Sequence, residues 1–448
     1  MGRTTTWRVR APALVALVAA LAYVGMPAAS AAPGDIDTSF SDDGTLLLGF
    51  PPGSSGLTDL AVRSDGRIVV VGEGRHNARS VFEIGRLLPN GRLDPTFGNH
   101  GRTIVPFPGK EATTAFPLPT PKVALAPDGG IVLAGSVVGP GASAKDDIAL
   151  LRLTPGGRPD TAFGDGGRVV TNLGGADDAT DVAIDGSGRI VVSGETEQNG
   201  SSSAVALRYL PSGELDHSFG ANGVATIPTR TGTGTLGRGA GALAVALGPG
   251  GKIVLCGGSG RKFLVARLQS DGSPDRTFAG SGRTLFGFLH ESVGLDVALT
   301  PSGRIVVAGV TSPSGSIDEH MSIAVARLNS LGQLDPSFGT GGKVETNTGG
   351  GDLAFGVSVQ ADGRIVVAGS SDLQTLFGKH LEVLRYTTAG KLDPSFNTVG
   401  VVNIDLGPAS EFWSDLILRN GRATVAGFVQ TTSTTPGHTT GAVARFQL

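Results

Sequence analysis

A three-part motif occurs seven times along the chain and constrains its fold more than any other feature. A (Leu, Ile or Pro)-Asp-x-x-Phe box recurs at nearly constant intervals, with its aspartates at Asp37, Asp94, Asp160, Asp216, Asp275, Asp335 and Asp393. A second part joins a small turn residue and Gly to an apolar run. The third is an apolar segment that ends in Arg86, Arg152, Arg208, Arg267, Arg327, Arg385 or Arg445. Such a period predicts a repeat architecture.

Each unit contains four candidate β-strands. In the first complete unit they are predicted at residues 59–63, 68–71, 81–88 and 103–107. Pairs such as Asp65-Gly66 suit the tight turn between the first two strands, because Gly adopts positive φ without strain. The chain has 71 Gly and 26 Pro but is 40% hydrophobic, lacks a Gly-X-Y period and shows no useful helical periodicity. We therefore predict an all-β, seven-bladed β-propeller with four antiparallel strands per blade.

The two ends of the repeat region predict how the ring closes. In six units the arginine is followed five residues later by Gly and eight residues later by the Asp, but only Phe446, Gln447 and Leu448 follow Arg445. The missing part stands at the other end, where residues 34–40 contain the box and a strand is predicted at 45–48. We expect a Velcro closure, in which this N-terminal strand completes the last blade and removes an open sheet edge.

These boxes resemble the delta-60 repeat family of bacterial β-propellers. The resemblance rests on segments such as Gly332-Gln333-Leu334-Asp335-Pro336-Ser337-Phe338-Gly339 and residues 361–369, ADGRIVVAG, and it covers nearly all of residues 32–448. Three units depart from the pattern, at residues 159–163, at Pro274-Asp275 and after Phe40. The family is a domain of unknown function, so the resemblance implies a fold and an exported bacterial protein but no activity. The blade spacing is also similar to NHL propellers, which implies that the first strand of each unit is the innermost.

The N-terminal segment, residues 1–31, is typical of a secretory signal peptide. Arg3, Arg8 and Arg10 precede an apolar segment at 13–24, and Ala29-Ser30-Ala31 is a suitable cleavage site. We therefore predict a secreted protein whose residues 32–448 form the propeller, without a transmembrane segment after cleavage. Removing three of the 36 Lys and Arg leaves 33 against 39 Asp and Glu, a net charge of −6. This mild charge, without basic blocks, does not favour nucleic acid as a partner.

Few residues suggest a cofactor or a metal. The only cysteine, Cys256, excludes an intramolecular disulfide and is predicted to be a buried strand residue. Residues 232–237, GTGTLG, match a dinucleotide fingerprint but open no predicted helix. No Cys/His spacing fits zinc. For Asp177, Asp178 and Asp181 we expect a solvated loop, with calcium contact as the alternative. We predict no cofactor and no metal.

The repeated Asp and Arg residues are assigned a structural role. An Asp followed by Pro-Ser or Thr-Ser forms an Asx turn, and seven copies spread around a ring cannot converge on one ion. The constant spacing of eight predicts that each arginine pairs with the aspartate of its own blade, as Arg385 with Asp393.

Functional residues are expected on one face of the ring. The connections between strands two and three, and between strand four and the next blade, vary in length and emerge on the same face. His76, His290, Glu291, Glu319, His320, His380 and Trp413 lie in or beside them. The candidate binding residues among them are His290, Glu319, His320, His380 and Trp413. The simpler interpretation is that they are ordinary surface residues of loops and that Trp413 packs at a blade rim.

The sequence favours a binding or scaffold module over an enzyme. The expected partner is a protein or a glycan, bound by a monomer through the variable loops. The alternative is an extracellular lyase or hydrolase with a site at the channel mouth, where Glu319 and His320 could act as acid and base. A purely structural component of the cell envelope is the third hypothesis. Fold alone does not decide between them.

Overall fold

The computed structural model describes residues 31–50, 55–76, 79–107, 111–113, 121–138, 145–198, 200–229, 240–313, 320–372, 380–406, 410–430 and 439–448. Residues 32–448 form one compact unit. The predicted signal peptide, the fingerprint at 232–237 and Glu319 fall, apart from Ala31, outside the described residues.

In the described residues twenty-nine strands form seven sheets, which we number as blades in chain order. The fourth strand of blade 7 comes first, as β1 (Thr45–Leu48). Blade 1 consists of β2 (Ser55–Val62), β3 (Ile68–His76), β4 (Arg79–Leu87) and β5 (Arg102–Val105). Blade 2 consists of β6 (Glu111–Thr113), β7 (Lys122–Leu125), β8 (Ile131–Val138), β9 (Asp146–Leu153) and β10 (Arg168–Thr171). Blade 3 consists of β11 (Ala176–Ile184), β12 (Ile190–Gln198), β13 (Ser201–Tyr209) and β14 (Val224–Pro228).

The second half of the ring follows the same plan. Blade 4 consists of β15 (Ala240–Leu247), β16 (Ile253–Ser259), β17 (Lys262–Leu268) and β18 (Arg283–Phe286). Blade 5 consists of β19 (Glu291–Leu299), β20 (Ile305–Ser312), β21 (Ser322–Leu328) and β22 (Lys343–Thr346). Blade 6 consists of β23 (Leu353–Val359), β24 (Ile365–Ser371), β25 (His380–Tyr386) and β26 (Val401–Ile404). Blade 7 consists of β27 (Glu411–Arg419), β28 (Arg422–Gln430), β29 (Thr439–Gln447) and β1.

The structure confirms the predicted seven-bladed β-propeller. All strand pairs are antiparallel, and the first strands of neighbouring blades lie side by side around the ring. In blade 1 each observed strand overlaps its predicted segment. β2 and β4 end one residue earlier than predicted and β5 two residues earlier, and the first two strands extend at the ends away from their shared turn. Pro249–Gly251 forms a single 3-10 turn, and the described residues contain no other helix.

Blade 7 closes the ring with strands from both ends of the chain. β1 pairs with β29 from Thr45 opposite Ala444 to Leu48 opposite Gly441. A further bridge joins Ile36 to Phe446. The order β1-β29-β28-β27 is therefore the predicted Velcro arrangement.

The first strand of blade 2 is divided, which the sequence analysis did not predict. The segment between β5 and β7 contains β6, which pairs with β8. β7 resumes this pairing at Lys122. Pro121 precedes β7 and has no N–H to donate, so it cannot continue a strand ladder.

The hydrophobic core lies between the blades. Successive side chains of a strand point to opposite faces, so each blade packs on both of its neighbours. Val69, Val71 and Phe82 of blade 1, for example, contact the core side chains of blade 2. Ile68, Val70 and Leu60 face blade 7. Alternate apolar residues of one strand thus belong to two different cores.

Every blade also carries a buried polar clamp where its third strand crosses to its fourth. In all seven, the Nε atom of the repeated arginine lies 2.7–3.0 Å from the Oδ2 atom of the aspartate predicted to pair with it. In blade 1 the Thr96 N–H and hydroxyl donate to Asp94 Oδ1. Burial opposes ionisation of Asp94, but these hydrogen bonds and the charge of Arg86 lower its pKa to about 2.

The clamp also joins neighbouring blades. In six blades the Nη1 group of the arginine donates to a backbone carbonyl of the next blade, as from Arg267 to Ser330 O at 2.6 Å. In blade 6 the Nη1 group of Arg385 has no partner among the residues described. The residue after each motif phenylalanine donates its N–H to the next blade in all seven cases, at 2.7–3.0 Å. These seven bonds form a closed ring that includes the junction between the chain ends.

Glycine is required where one clamp meets the next. Gly272 has a φ of 84°, and a Cβ atom there would lie 2.9 Å from the ring of Phe219 in the preceding blade. The five-residue spacing between the arginine and this glycine therefore serves both the backbone conformation and the close contact between blades.

We expect the Arg385–Asp393 pair to be strongly coupled. Arg385 is fully buried, and its Nε atom lies 2.9 Å from Asp393 Oδ2. Arg385→Ala would leave a poorly compensated carboxylate and should lower the free energy of unfolding by about 3–5 kcal/mol. Urea denaturation of both single mutants and the double mutant measures the coupling, and full additivity would contradict a functional pair. Arg364→Ala is the control, since Arg364 contacts the same carboxylate at 3.3 Å but is 41% exposed, and it should cost less than about 1 kcal/mol.

Candidate functional site

The two faces of the ring differ in how constant their connections are. We call the face that carries the clamps the clamp face. There, strands three and four are separated by the same number of residues in all six blades built from continuous chain, as between Leu87 and Arg102 or between Leu328 and Lys343. The turn between strands one and two also has one length in these six blades and is shorter only in blade 7. The clamp face is therefore nearly constant around the ring.

The connections on the opposite face, the loop face, vary from blade to blade. Strands two and three are joined by a short turn between His76 and Arg79 but by a much longer loop between Ser312 and Ser322. The links between consecutive blades likewise range from a short one between Thr171 and Ala176 to a long one between Pro228 and Ala240. Length variation is thus concentrated on the loop face.

The three histidines among the predicted binding residues lie on separate elements of the loop face. His290 is exposed in the connection between β18 and β19, and His320 is exposed just before β21. His380 begins β25 and is half-buried. These three histidines belong to blades 4 to 6, and no group of three or more His, Cys, Asp and Glu side chains in the described part of the chain is placed to hold a metal ion.

Trp413 does not offer its ring to a ligand. The side chain is fully buried and packs with Val383 and Phe396 of blade 6. Its indole N–H donates to Glu411 Oε2 at 3.0 Å. Because no part of the ring is exposed, Trp413 serves the packing of blade 7 on blade 6, which was the simpler of the two interpretations.

The expectation of a solvated loop for Asp177, Asp178 and Asp181 is wrong. All three lie in β11, where Asp177 and Asp178 are buried. Asp177 Oδ2 accepts the N–H of Leu173 at 2.6 Å, which fixes the connection leading into blade 3. Asp352 Oδ2 likewise accepts the N–H of Thr348 at 2.6 Å and so fixes the connection leading into blade 6. A buried carboxylate thus anchors the base of these loop-face connections.

Five ionisable residues share one position on the innermost strands. They form what we call the channel ring: Asp59, Lys122, Asp181, Asp296 and Asp415. Ala244 and Gly356 occupy the same position in blades 4 and 6. Each aspartate follows a β-bulge and accepts a backbone N–H from the next blade, as Asp296 Oδ2 does from Val357 at 2.7 Å. Asp181 binds Val245 N in the same way at 2.8 Å.

The bulge explains why carboxylates stand at this position. An extra residue in the first strand interrupts its ladder with the second strand and leaves backbone N–H groups to be satisfied. Asp296 Oδ1 also accepts the N–H of Val297 at 2.7 Å. The aspartates therefore satisfy backbone N–H groups at the bulges and join adjacent blades near the channel.

The charges of the channel ring are unequal. Burial raises the pKa of Asp59 well above its ordinary value, and the charge of Asp415 adds to this. Burial likewise raises the pKa of Asp181 to about 6 and, together with Asp415, that of Asp296 to about 8. For Lys122, burial alone would lower the pKa, but the surrounding carboxylates raise it. Lys122 Nζ lies 3.9 Å from Asp59 Oδ1 and donates to Thr58 O at 3.3 Å.

Sequence reasoning missed the channel ring, although a signal for it exists. The segments Thr58-Asp59-Leu60, Thr180-Asp181-Val182, Leu295-Asp296-Val297 and Ser414-Asp415-Leu416 recur at one place in the repeat. An aspartate that recurs within an otherwise apolar inner strand indicates a buried, hydrogen-bonded carboxylate.

A histidine–glutamate pair lies near the loop face of blade 1. His76 Nε2 lies 2.7 Å from Glu83 Oε1. Glu83 is fully buried, and the room for its carboxylate exists because residue 74 is glycine, where a Cβ atom would lie 2.0 Å from Oε1. Burial, followed by the charge of Glu73, raises the pKa of Glu83 to about 8, and burial lowers that of His76. Such a pair can hold a proton and transfer it.

The position of this pair follows from strand alternation. Gly74 and His76 lie on the same side of β3 as Ile68 and Val70, which pack on blade 7. The pair therefore lies between blades 7 and 1. His76 is one of the predicted loop-face residues, whereas no pattern in the sequence points to Glu83. The pairing of β3 with β4 brings the side chain of Glu83 to His76.

Comparison with known proteins gives a family and a fold. Six segments match the family described as "Domain of unknown function (DUF5122) beta-propeller", at residues 63–97, 126–163, 186–219, 249–278, 300–338 and 360–396. Each begins at the end of a first strand or in the turn after it and ends at a clamp phenylalanine, and blade 7, whose clamp is divided between the chain ends, has no match. No curated protein sequence matches the chain.

Solved structures that are similar to this chain share little sequence with it. Polysaccharide lyase Uly1 has a TM-score of 0.50 and 9% identity, over 89% of this chain and 91% of that protein. A catalytically inactive virginiamycin B lyase from Staphylococcus aureus, solved with quinupristin, has a TM-score of 0.48 and 11% identity over 89% and 98%. A protein of unknown function from Dyadobacter fermentans has a TM-score of 0.42 and 12% identity over 90% and 98%. At this identity the likeness concerns the fold alone.

Among the described residues, no helix has the length and apolar character needed to span a membrane.

The channel ring should make stability depend on pH. The pKa of Asp296 is about 8 in the folded protein against 3.8 for the ordinary side chain, so folding binds a proton there and the folded state loses stability as pH rises from about 4 to 8. Asp296→Asn keeps an acceptor but removes this loss. The free energy of unfolding of the variant relative to wild type should therefore rise by at least about 1 kcal/mol between pH 4 and pH 8.

Asp335→Asn is the control for this measurement. The clamp carboxylate of Asp335 has a lowered pKa, because hydrogen bonds from Ser337 and the charge of Arg327 outweigh the effect of burial. Its stabilisation is present above the ordinary pKa, so the variant should lose stability relative to wild type as pH rises through that value. Parallel pH profiles for Asp296→Asn and wild type would contradict the assignment.

Proposed function

We propose that this protein, six blades of which belong to a β-propeller family of unknown function, is an exported binding module that holds its ligand on the loop face. The protein's own geometry supports this proposal. The ligand is a protein or a glycan. The ring acts as a rigid scaffold for the connections that contact this ligand.

The proposal rests on one observation: connection lengths are nearly constant on the clamp face and variable on the loop face. The crossing from strand three to strand four keeps one length in six blades on the clamp face, while the loop-face connections between strands two and three differ severalfold in length. A requirement for folding alone would repeat on both faces, since every blade solves the same packing problem. Variable loops on a constant scaffold are the usual arrangement of binding surfaces.

Exposed side chains on the loop face support ligand contact in blades 4 to 6. Leu289 is 84% exposed beside the exposed His290. The two residues line a cleft with Arg261, Lys262 and Glu291, with a volume of about 320 Å³. Exposed aliphatic, cationic and imidazole groups close together can contact a polar ligand by several kinds of interaction.

Export is the second part of the proposal. It is supported by the basic segment, the apolar segment and the small-residue site within residues 1–31. The absence of disulfides in a protein with one cysteine agrees with a fold held by interblade cores and clamps. Cleavage after Ala31 would release the propeller into the medium.

One experiment tests both parts. Full-length protein is expressed with its leader, recovered from the medium, checked for an N-terminus at Ala32 and applied to a glycan array and to secreted proteins. We expect a bound ligand whose affinity falls at least about tenfold, or 1.4 kcal/mol, when His290, Leu289 and His320 are replaced together by Ala. The control is Arg304→Ala, an exposed cation on the clamp face, which should leave binding unchanged. Retention in the cell, or equal losses in both variants, would contradict the proposal.

The His76–Glu83 pair favours an extracellular lyase or hydrolase as a second candidate. Glu83 holds the imidazole at 2.7 Å and is itself shielded from water, so His76 could act as a positioned base or acid. This pair lies between blades 7 and 1 rather than among the histidines of blades 4 to 6.

The enzymatic alternative is tested by turnover. Polysaccharides and cyclic esters are incubated with the protein, and bond cleavage is followed by mass spectrometry. If the pair is catalytic, His76→Asn and Glu83→Gln should each lower kcat at least about 100-fold while the Tm stays within a few degrees. His290→Asn, a loop-face histidine outside the pair, serves as the control. Cleavage that persists in both variants would exclude this site.

A further inference from the structure

A second buried glutamate occupies the position equivalent to Glu83, but its surroundings differ. Glu382 lies opposite Gly369 in blade 6, as Glu83 lies opposite Gly72 in blade 1. Glu382 is fully buried and points to the same side as Leu384 and Tyr386, which pack on blade 5. It therefore lies in the cleft between blades 5 and 6, at the end near the loop face.

Glu382 has no partner of the kind that Glu83 has. Among the residues that the structure describes, no donor meets hydrogen-bond geometry at either of its carboxylate oxygens, and no cationic side chain pairs with it. Its neighbour is a second fully buried carboxylate, Asp352. Burial raises the pKa of Glu382 to about 7, and the charge of Asp352 adds to this effect, while the nearby Thr348 hydroxyl opposes it weakly.

The surroundings of Asp352 supply oxygen atoms rather than positive charge. Asp352 Oδ2 accepts the N–H of Thr348 at 2.6 Å, and its Oδ1 lies 3.2 Å from the Thr348 hydroxyl. Burial raises the pKa of Asp352 to about 6, to which the carboxylate of Asp372 contributes. Asp372 borders the same connection, where a Cβ atom on Gly350 would lie 3.2 Å from Asp372 Oδ1. A third carboxylate, that of Asp372, thus lies close enough to Asp352 to affect its pKa, although it does not complete a ligand set.

We propose that Asp352 and Glu382 bind a calcium ion in the cleft between blades 5 and 6. One shared proton would leave a buried negative charge and unpaired oxygens, whereas a divalent cation neutralises both carboxylates and occupies the oxygens of Glu382. Hard oxygen donors without nitrogen or sulfur select calcium or magnesium over zinc, and calcium tolerates an irregular ligand set.

The site is not preformed by protein side chains alone. Since no three His, Cys, Asp or Glu side chains within the described ranges already surround one point, the remaining ligands must be water and backbone oxygens. This set resembles weak calcium sites, with a Kd of about 10⁻⁴–10⁻³ M. The inference does not depend on what the loop face binds.

Calcium titration of the metal-free protein tests the proposal. After treatment with EDTA, equilibrium dialysis should find one calcium per chain, and 10 mM calcium should raise the Tm by about 2 °C. Glu382→Gln keeps the side-chain volume but removes the charge, so it should abolish both effects and raise the Tm of the metal-free protein. Asp352→Asn should weaken binding at least about tenfold.

Glu83→Gln is the matched control, because it makes the same change at the same blade position beside His76. It should bind calcium as wild type does. The proposal fails if calcium neither binds nor stabilises wild type, if Glu382→Gln responds to calcium as wild type does, or if acidification below pH 6 stabilises wild type while calcium at pH 8 has no effect. That last result would show that the carboxyl pair holds a proton instead.

Discussion

The ring depends on the ion pair between the arginine near the end of each third strand and the aspartate of the same blade, which stands eight residues later in the six continuous blades and at the other end of the chain in blade 7. It lies at the crossing from strand three to strand four, where the blade also makes polar contacts with the next blade. The aspartate fixes the turn through the N–H and, in six blades, the hydroxyl two residues later, and the guanidinium of six blades reaches the next blade. The arginine also stacks on the motif phenylalanine in six blades, at 4.6–4.8 Å. One motif thus joins local turn chemistry to interblade packing.

In this arrangement the parts of the ring that stabilise the fold are separate from the connections that vary in length. The clamp face and the bulged inner strands carry the repeated polar contacts, so loop-face connections can change length without loosening the ring. Buried carboxylates mark the boundary between the two. Asp177 and Asp352 hold the bases of connections, whereas Glu83 and Glu382 occupy equivalent places, Glu83 beside His76 and Glu382 without a hydrogen-bond partner among the described residues. The glutamate at the same strand position is therefore hydrogen-bonded to a histidine in blade 1 and is available to a cation in blade 6.

Much of the fold was predictable because the spacing of residues within the repeat determines the order of the strands and the pairs that they form. The spacing of eight between Arg385 and Asp393, the glycine between them and the divided seventh unit together predicted the clamp and the closure by β1. Other features were not predictable in this way. Trp413 was a candidate for ligand contact because it stands near a connection. Because side chains alternate between the two faces of β27, that of Trp413 points into the core. Asp181 resembled a loop residue because charged residues are usually exposed, whereas a bulge gives it backbone partners in the next blade.

The sequence by itself determined the number of blades, the four-strand plan, the closing strand and the pairing within each clamp, because all of these depend on spacing along the chain. Only the tertiary structure decided which carboxylates are neutralised and by what. Lys122 lies among aspartates from four other blades, His76 meets Glu83 across a strand pair, and Glu382 meets Asp352 from the connection before its own blade. Such encounters join residues far apart in sequence, and their energies depend on burial and distance, which no local pattern records.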